Sequence, residues 1–120
     1  MEVRPREVVI LAADHAALVT WYVDVLNFKK VREEASDYHY TNLENAAGIQ
    51  IGIADAEEMG VSPLADKKNA TVVLQFEVDD VKAFFAHLTA AGGSAVFGPS
   101  FEEKYGFWYG GFSDPEGNPY

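Results

Sequence analysis

Two periodicities of apolar and polar positions follow each other along this chain, and the switch between them happens twice. The first copy is Glu7–Phe28, EVVILAADHAALVTWYVDVLNF. Val8-Val9-Ile10-Leu11 is a β-branched, apolar run that favours a buried strand. Asp14 follows and can accept a hydrogen bond from the open N–H groups of a helix start. Leu18, Trp21, Tyr22, Val25 and Leu26 then recur at the three–four spacing of one helical face. Asn27 stands where a left-handed residue closes a helix, and Phe28 begins the next strand.

The second copy starts at Val73, VLQFEVDDVKAFFAHLTAAGG. Val72, Leu74 and Phe76 alternate with Val73, Gln75 and Glu77, as in a half-buried strand. Asp79-Asp80 caps a helix with Val81, Phe84, Phe85 and Leu88 on its apolar face, and Gly92-Gly93 ends it. Glu7 precedes Asp14 by seven residues and Val73 precedes Asp80 by the same number, so the two copies register.

Each helix is followed by strand patterns. After the first, Phe28–Glu34, Asp37–Leu43 and Ile49–Ala54 read as strands, with Asn45–Gly48 as a hairpin turn. A polar linker over 55–70, with a short helical turn at Ala56–Met59, separates module one (1–54) from module two (71–120). After the second helix, Ser94–Phe97 reads as a strand, Gly98–Gly106 as a long loop, Phe107–Phe112 as a strand and Ser113–Asn118 as a tight turn. The last strand of the second module is expected to be missing or only begun at Tyr120. The pattern is βαβββ twice over, in one domain.

Charge and composition narrow the function. Nineteen acidic residues against nine basic ones give a formal charge of −10. That disfavours nucleic acid, which requires a basic footprint, and is compatible with a neutral or cationic ligand. The chain has no cysteine, so disulfide and thiolate chemistry are excluded. No apolar run approaches the roughly 20 residues that span a membrane, and the first residues lack the apolar core of a signal peptide. A cytoplasmic protein with no membrane or nucleic-acid partner is the expectation.

The spacing Asp14…Trp21-Tyr22…Leu26-Asn27-Phe28, the run Val78-Asp79-Asp80-Val81…Phe84 and the turn Phe112-Ser113-Asp114-Pro115-Glu116-Gly117-Asn118 together resemble the vicinal-oxygen-chelate superfamily of glyoxalases, bleomycin resistance proteins and extradiol dioxygenases. The resemblance covers nearly the whole chain. It implies an α+β fold in which paired βαβββ modules form a curved sheet around a cleft. It also implies a homodimer.

The same resemblance implies four metal-ligand positions in the metal-dependent members. Here they fall on Glu7, on Gln50, on Val73, and one residue past Tyr120. Glu7 is a competent oxygen ligand, Gln50 offers a weak neutral amide, and Val73 cannot bind a metal. Glu7 and Gln50 are therefore weak metal candidates and are better explained as polar anchors that orient a ligand in an otherwise apolar cleft. His15 and His87 are expected on the surface. His39, by alternation, faces away from Tyr38 and Tyr40, and either lines the cleft or is solvated. Trp108 and Tyr109 occupy successive strand positions, so one faces the cleft and the other the helices. Phe101 and Tyr105 bracket the preceding loop.

The expected ligand-binding set is Glu7, His39, Gln50, Val73, Gln75, Phe101, Tyr105, Trp108 and Tyr109, with no catalytic residue assigned. Aromatic walls suit a planar or apolar molecule. Metal-independent binding of a small aromatic or cationic molecule, as in drug-sequestering proteins, is the first expectation, with no cofactor. The alternative is a lyase, isomerase or dioxygenase that uses a divalent metal ion.

Overall fold

The computed structural model describes residues 1–62 and 72–120. The chain divides into two compact units, Met1–Pro63 and Leu64–Tyr120. The expected linker over 55–70 lies partly outside the described residues. No helix among the described residues is long and apolar enough to cross a membrane.

The first unit contains β1 (Val8–Ala12), α1 (His15–Asp24), β2 (Lys29–Glu34), β3 (Tyr40–Glu44) and β4 (Gln50–Asp55). The four strands form one sheet in the order β1-β4-β3-β2. β1 runs parallel to β4, while β4, β3 and β2 are antiparallel neighbours. β3 begins at Tyr40 rather than at Asp37, because Ser36 ties back to Glu34 and the turn extends to His39.

Local chemistry sets the ends of α1. The Asp14 carboxylate accepts from the Ala17 N–H at 3.1 Å, as its position in the sequence predicts. Asn27 takes φ 61°, the left-handed value expected there, and the Phe28 N–H donates back to the Tyr22 carbonyl. The apolar face of α1 then forms the core of this unit. Leu18 and Tyr22 are fully buried, as are Leu43, Ile51 and Ile53 of the sheet. Tyr22 meets Trp21 and Phe28 edge to face, both at 5.4 Å between ring centroids.

Pairing between β3 and β4 separates the two faces of the sheet. Thr41 opposite Ile53, and Leu43 opposite Ile51, are buried. Tyr40 opposite Ala54, Asn42 opposite Gly52 and Glu44 opposite Gln50 share the other face. That second face is the one that carries polar side chains.

The second unit contains α2 (Val81–Ala90), β5 (Ser94–Glu102) and β6 (Phe107–Ser113), with β5 and β6 antiparallel. Asp80 caps α2 through the Ala83 N–H at 2.9 Å. Gly92, at φ 83°, ends the helix, and the Gly93 N–H reaches the Leu88 carbonyl at 2.8 Å. Phe84, Phe85 and Phe112 pack through edge-to-face contacts of 5.2–6.3 Å.

Two expectations are corrected in this unit. Val72–Glu77 alternates in burial from Leu74 onward but forms no strand. In the first unit the equivalent strand β1 pairs only with β4. The second unit has no counterpart of β4 among the described residues. The expected loop at Gly98–Gly106 is mostly strand: β5 continues to Glu102, with register shifts on either side of Phe97. An irregular edge strand tolerates Gly98-Pro99, which elsewhere would signal a turn. The last strand is only begun, in line with the sequence: a single bridge joins Ser113 to Pro119, with backbone bonds between Phe112 and Tyr120 at 2.8 and 3.0 Å.

Candidate functional site

Glu7 stands immediately before β1, on the polar side of the first sheet. Its carboxylate accepts a short hydrogen bond from the Tyr40 hydroxyl and two bonds from the Asn42 side-chain amide, at 2.9 and 3.1 Å. Burial and the Glu7 carboxylate push the Tyr40 hydroxyl up to about 12, so it keeps its proton and remains a donor to Glu7. The tyrosine can lie there because residue 52 is glycine: a Cβ at Gly52 would collide with the Tyr40 ring and hydroxyl. Beside this group lies a cavity of about 260 Å³ lined by Arg6, Arg32, Glu34, Tyr38, Tyr40 and Asn42.

Tyr40 and Asn42 are the partners that sequence reasoning missed. Period-two alternation through β3 places them on one face, and that signal was available once the strand was assigned. Gln50 lies on the same face, opposite Glu44, and is exposed. No hydrogen bond joins Gln50 to Glu7 among the described residues.

His39 belongs elsewhere. Its Nδ1 lies 2.6 Å from Glu58 Oε1, and its backbone N–H donates to Glu58 Oε2 at 2.7 Å. His15, expected on the surface, is half-buried, and its Nε2 lies 3.0 Å from the hydroxyl of buried Thr41. The two imidazoles are 5.9 Å apart. The hydrogen bond to Glu58 raises the pKa of His39, whereas burial, and secondarily the charge of His39, lowers that of His15.

These shifts act on stability in opposite directions. With its folded pKa above the ordinary 6.5, His39 contributes its full stabilisation below about pH 6.5 and loses it as pH rises through the folded value. With its folded pKa below 6.5, His15 costs stability as pH falls from about 6.5 through the folded value. Glu58→Gln is therefore expected to lower the His39 pKa seen by NMR and to destabilise the protein more near about pH 6 than near about pH 8.5. Equal destabilisation at both would show that the imidazolium charge plays no part.

The second unit gathers aromatic rings. Gln75, Trp108 and Tyr109, with Phe76, Phe84 and Phe107, line a cavity of about 440 Å³. Trp108 pairs with Phe101 across the hairpin at 5.3 Å, and Lys82 Nζ of α2 lies 4.0 Å over the indole. Tyr109 points to the opposite face of the strand, against Phe97 and Phe107 at 6.1 and 5.9 Å. Trp108 is thus the residue on the α2 side. Tyr105 projects from the hairpin turn, 70% exposed. Val73, half-exposed, is not part of this cavity.

A family model described as the Glyoxalase/Bleomycin resistance protein/Dioxygenase superfamily matches residues 4–119. The chain belongs to this superfamily. Solved members of the glyoxalase/bleomycin resistance/dioxygenase superfamily share its fold. One from Burkholderia phytofirmans is 23% identical with a TM-score of 0.73, covering 94% of this chain and 91% of its own. One from Sphaerobacter thermophilus is 20% identical with a TM-score of 0.74, covering 98% and 94%. A mutant of the Listeria monocytogenes fosfomycin resistance protein FosX, complexed with Mn(II) and 1S,2S-dihydroxypropylphosphonic acid, is 13% identical with a TM-score of 0.73, covering 99% and 87%. At these identities the likeness shows the fold alone. No curated protein matches the chain.

Superfamily membership makes the metal question concrete. At the positions expected to hold a metal, the chain offers one carboxylate, Glu7, one neutral amide, Gln50, and the aliphatic Val73. The Glu7 carboxylate already accepts three hydrogen bonds from Tyr40 and Asn42. A catalytic zinc site uses three protein ligands, and harder ions use six or more oxygens, several of them charged. The three positions within the sequence thus supply two donors, fewer than such an ion uses.

Proposed function

We propose that this chain binds a small organic molecule without a resident metal, with Glu7 as a polar anchor. The observation that carries the reading is the clamping of Glu7 by Tyr40 and Asn42 beside an open cavity. A carboxylate fixed by two neutral donors keeps its charge and has room to accept one further bond, from a ligand ammonium or hydroxyl. Separately, the aromatic cavity of the second unit would by itself suit a planar molecule through ring stacking and burial. The net charge of −10 favours the approach of cations. This is the drug-sequestering type of function, in a single cytoplasmic domain of two modules.

The test is a titration with benzylamine, a small aromatic cation, followed by NMR at the side-chain amide of Asn42. Glu7→Gln is expected to weaken benzylamine about tenfold, since a charged hydrogen bond contributes about 1.5–3 kcal/mol. A chelator is expected to change neither binding nor thermal midpoint. Stoichiometric zinc, nickel, manganese or iron retained through Glu7 would instead favour the metal-dependent lyase or isomerase reading.

The same reading includes a homodimer. Phe97, Phe107 and Tyr109 are each 42–53% exposed on one face of the hairpin, a cluster of rings that association would cover. Sedimentation that finds only monomer at micromolar concentration would remove it.

A further inference from the structure

We infer that the cavity beside Glu7 takes the oxyanion group of its ligand, a carboxylate, phosphate or phosphonate, through Arg6 and Arg32. This rests on the reading of the Glu7 face as a ligand site and adds the class of ligand.

The chain has nine basic residues against nineteen acidic ones, yet two guanidinium groups line one cavity of about 260 Å³. Neither arginine has an ion pair or hydrogen bond to a described residue. The acid in the same wall is committed elsewhere: Glu34 Oε1 accepts from the Ser36 hydroxyl at 2.6 Å and from its N–H at 3.2 Å. Those bonds, and secondarily the charge of Arg32, hold its pKa below the usual carboxylate value, but no ion pair joins Glu34 to either arginine.

Arg32 reaches this face through an irregularity in the sheet. Lys30 pairs with Leu43 and Arg32 with Asn42, so Val31 is an extra residue in β2. A regular ladder continuing from Lys30 would set Val31 opposite Asn42 and Arg32 opposite Thr41, on the α1 side. The bulge turns Arg32 to the face of Asn42 and Tyr40 instead. A guanidinium presents a planar fork of donors that matches an oxyanion, and it does so best when no carboxylate competes. The polar face therefore has an acceptor at Glu7 and donors at Arg6 and Arg32, with Tyr40 and Asn42 between them. A molecule with a hydroxyl or ammonium near an oxyanion satisfies both ends.

The experiment compares phenylphosphonate with benzylamine on the intact protein, with the Asn42 side-chain amide as NMR reporter. Phenylphosphonate is expected to shift that signal. Arg6→Gln and Arg32→Gln, both at exposed positions, are each expected to weaken it about tenfold. Unchanged affinity in both variants overturns the inference. So does a titration in which benzylamine shifts the signal and phenylphosphonate does not, a result that leaves the Glu7 reading in place. If neither probe shifts it, both readings fall.

Discussion

Asp114→Ala is expected to cost ~3–5 kcal/mol of folding stability, the largest effect of any polar substitution in the second unit. Asp114 is 4% exposed, and both of its oxygens are used. Oδ1 accepts from the N–H groups of Glu116 and Asn118 at 2.9 and 3.0 Å. Oδ2 accepts from the Asn118 amide at 2.8 Å and the Tyr120 hydroxyl at 2.7 Å. Alanine would remove the acceptor and leave four donors to find other partners in a part-buried turn. Each such bond to a charge is worth about 1.5–3 kcal/mol, and the total falls short of their sum because the four share one acceptor.

The consequence reaches past the turn. Asp114 folds the chain back so that Tyr120 stacks on Phe112 at 5.1 Å and exchanges backbone bonds with it. Phe112 in turn packs on Phe84 and Phe85. Chemical denaturation of the variant checks the prediction, and a loss under ~1 kcal/mol would show that the ring stack holds the turn by itself.

Leu18→Ala is expected to cost ~2–5 kcal/mol, and Trp21→Ala a similar amount. Leu18 is fully buried in the core of the first unit, and Trp21 is 9% exposed. Truncation removes apolar area and leaves a cavity between a helix and a sheet that pack at fixed spacing. Urea unfolding should show a lower midpoint with an unchanged slope. Destabilisation below ~1 kcal/mol for both would mean that α1 can settle into the space left behind. The Glu7 face lies on the other side of the sheet from α1, so ligand binding at temperatures where the variant stays folded should be retained.

The sequence by itself determined the elements whose causes are local. Asp14 and Asp80 cap helices because a carboxylate one residue before a helix meets its open N–H groups. Asn27 closes α1 because it tolerates positive φ. The three–four spacing of Leu18, Trp21, Tyr22 and Val25 predicts the buried face, since a helix places those positions together whatever it packs against. Superfamily membership was legible for the same reason: its motifs are caps, helix faces and a turn. The tertiary structure alone decided what pairing decides. Val72–Glu77 has the pattern of a strand but forms none among the described residues, and a strand exists only through its neighbour. Gly98-Pro99 reads as a loop but lies within an irregular edge strand. Glu7 was visible as a candidate, but Tyr40 and Asn42 reach it only when β3 and β4 are in register, and Arg32 joins their face only because Val31 bulges. Register depends on residues far apart in the chain, and a shift of one residue turns every side chain to the other face.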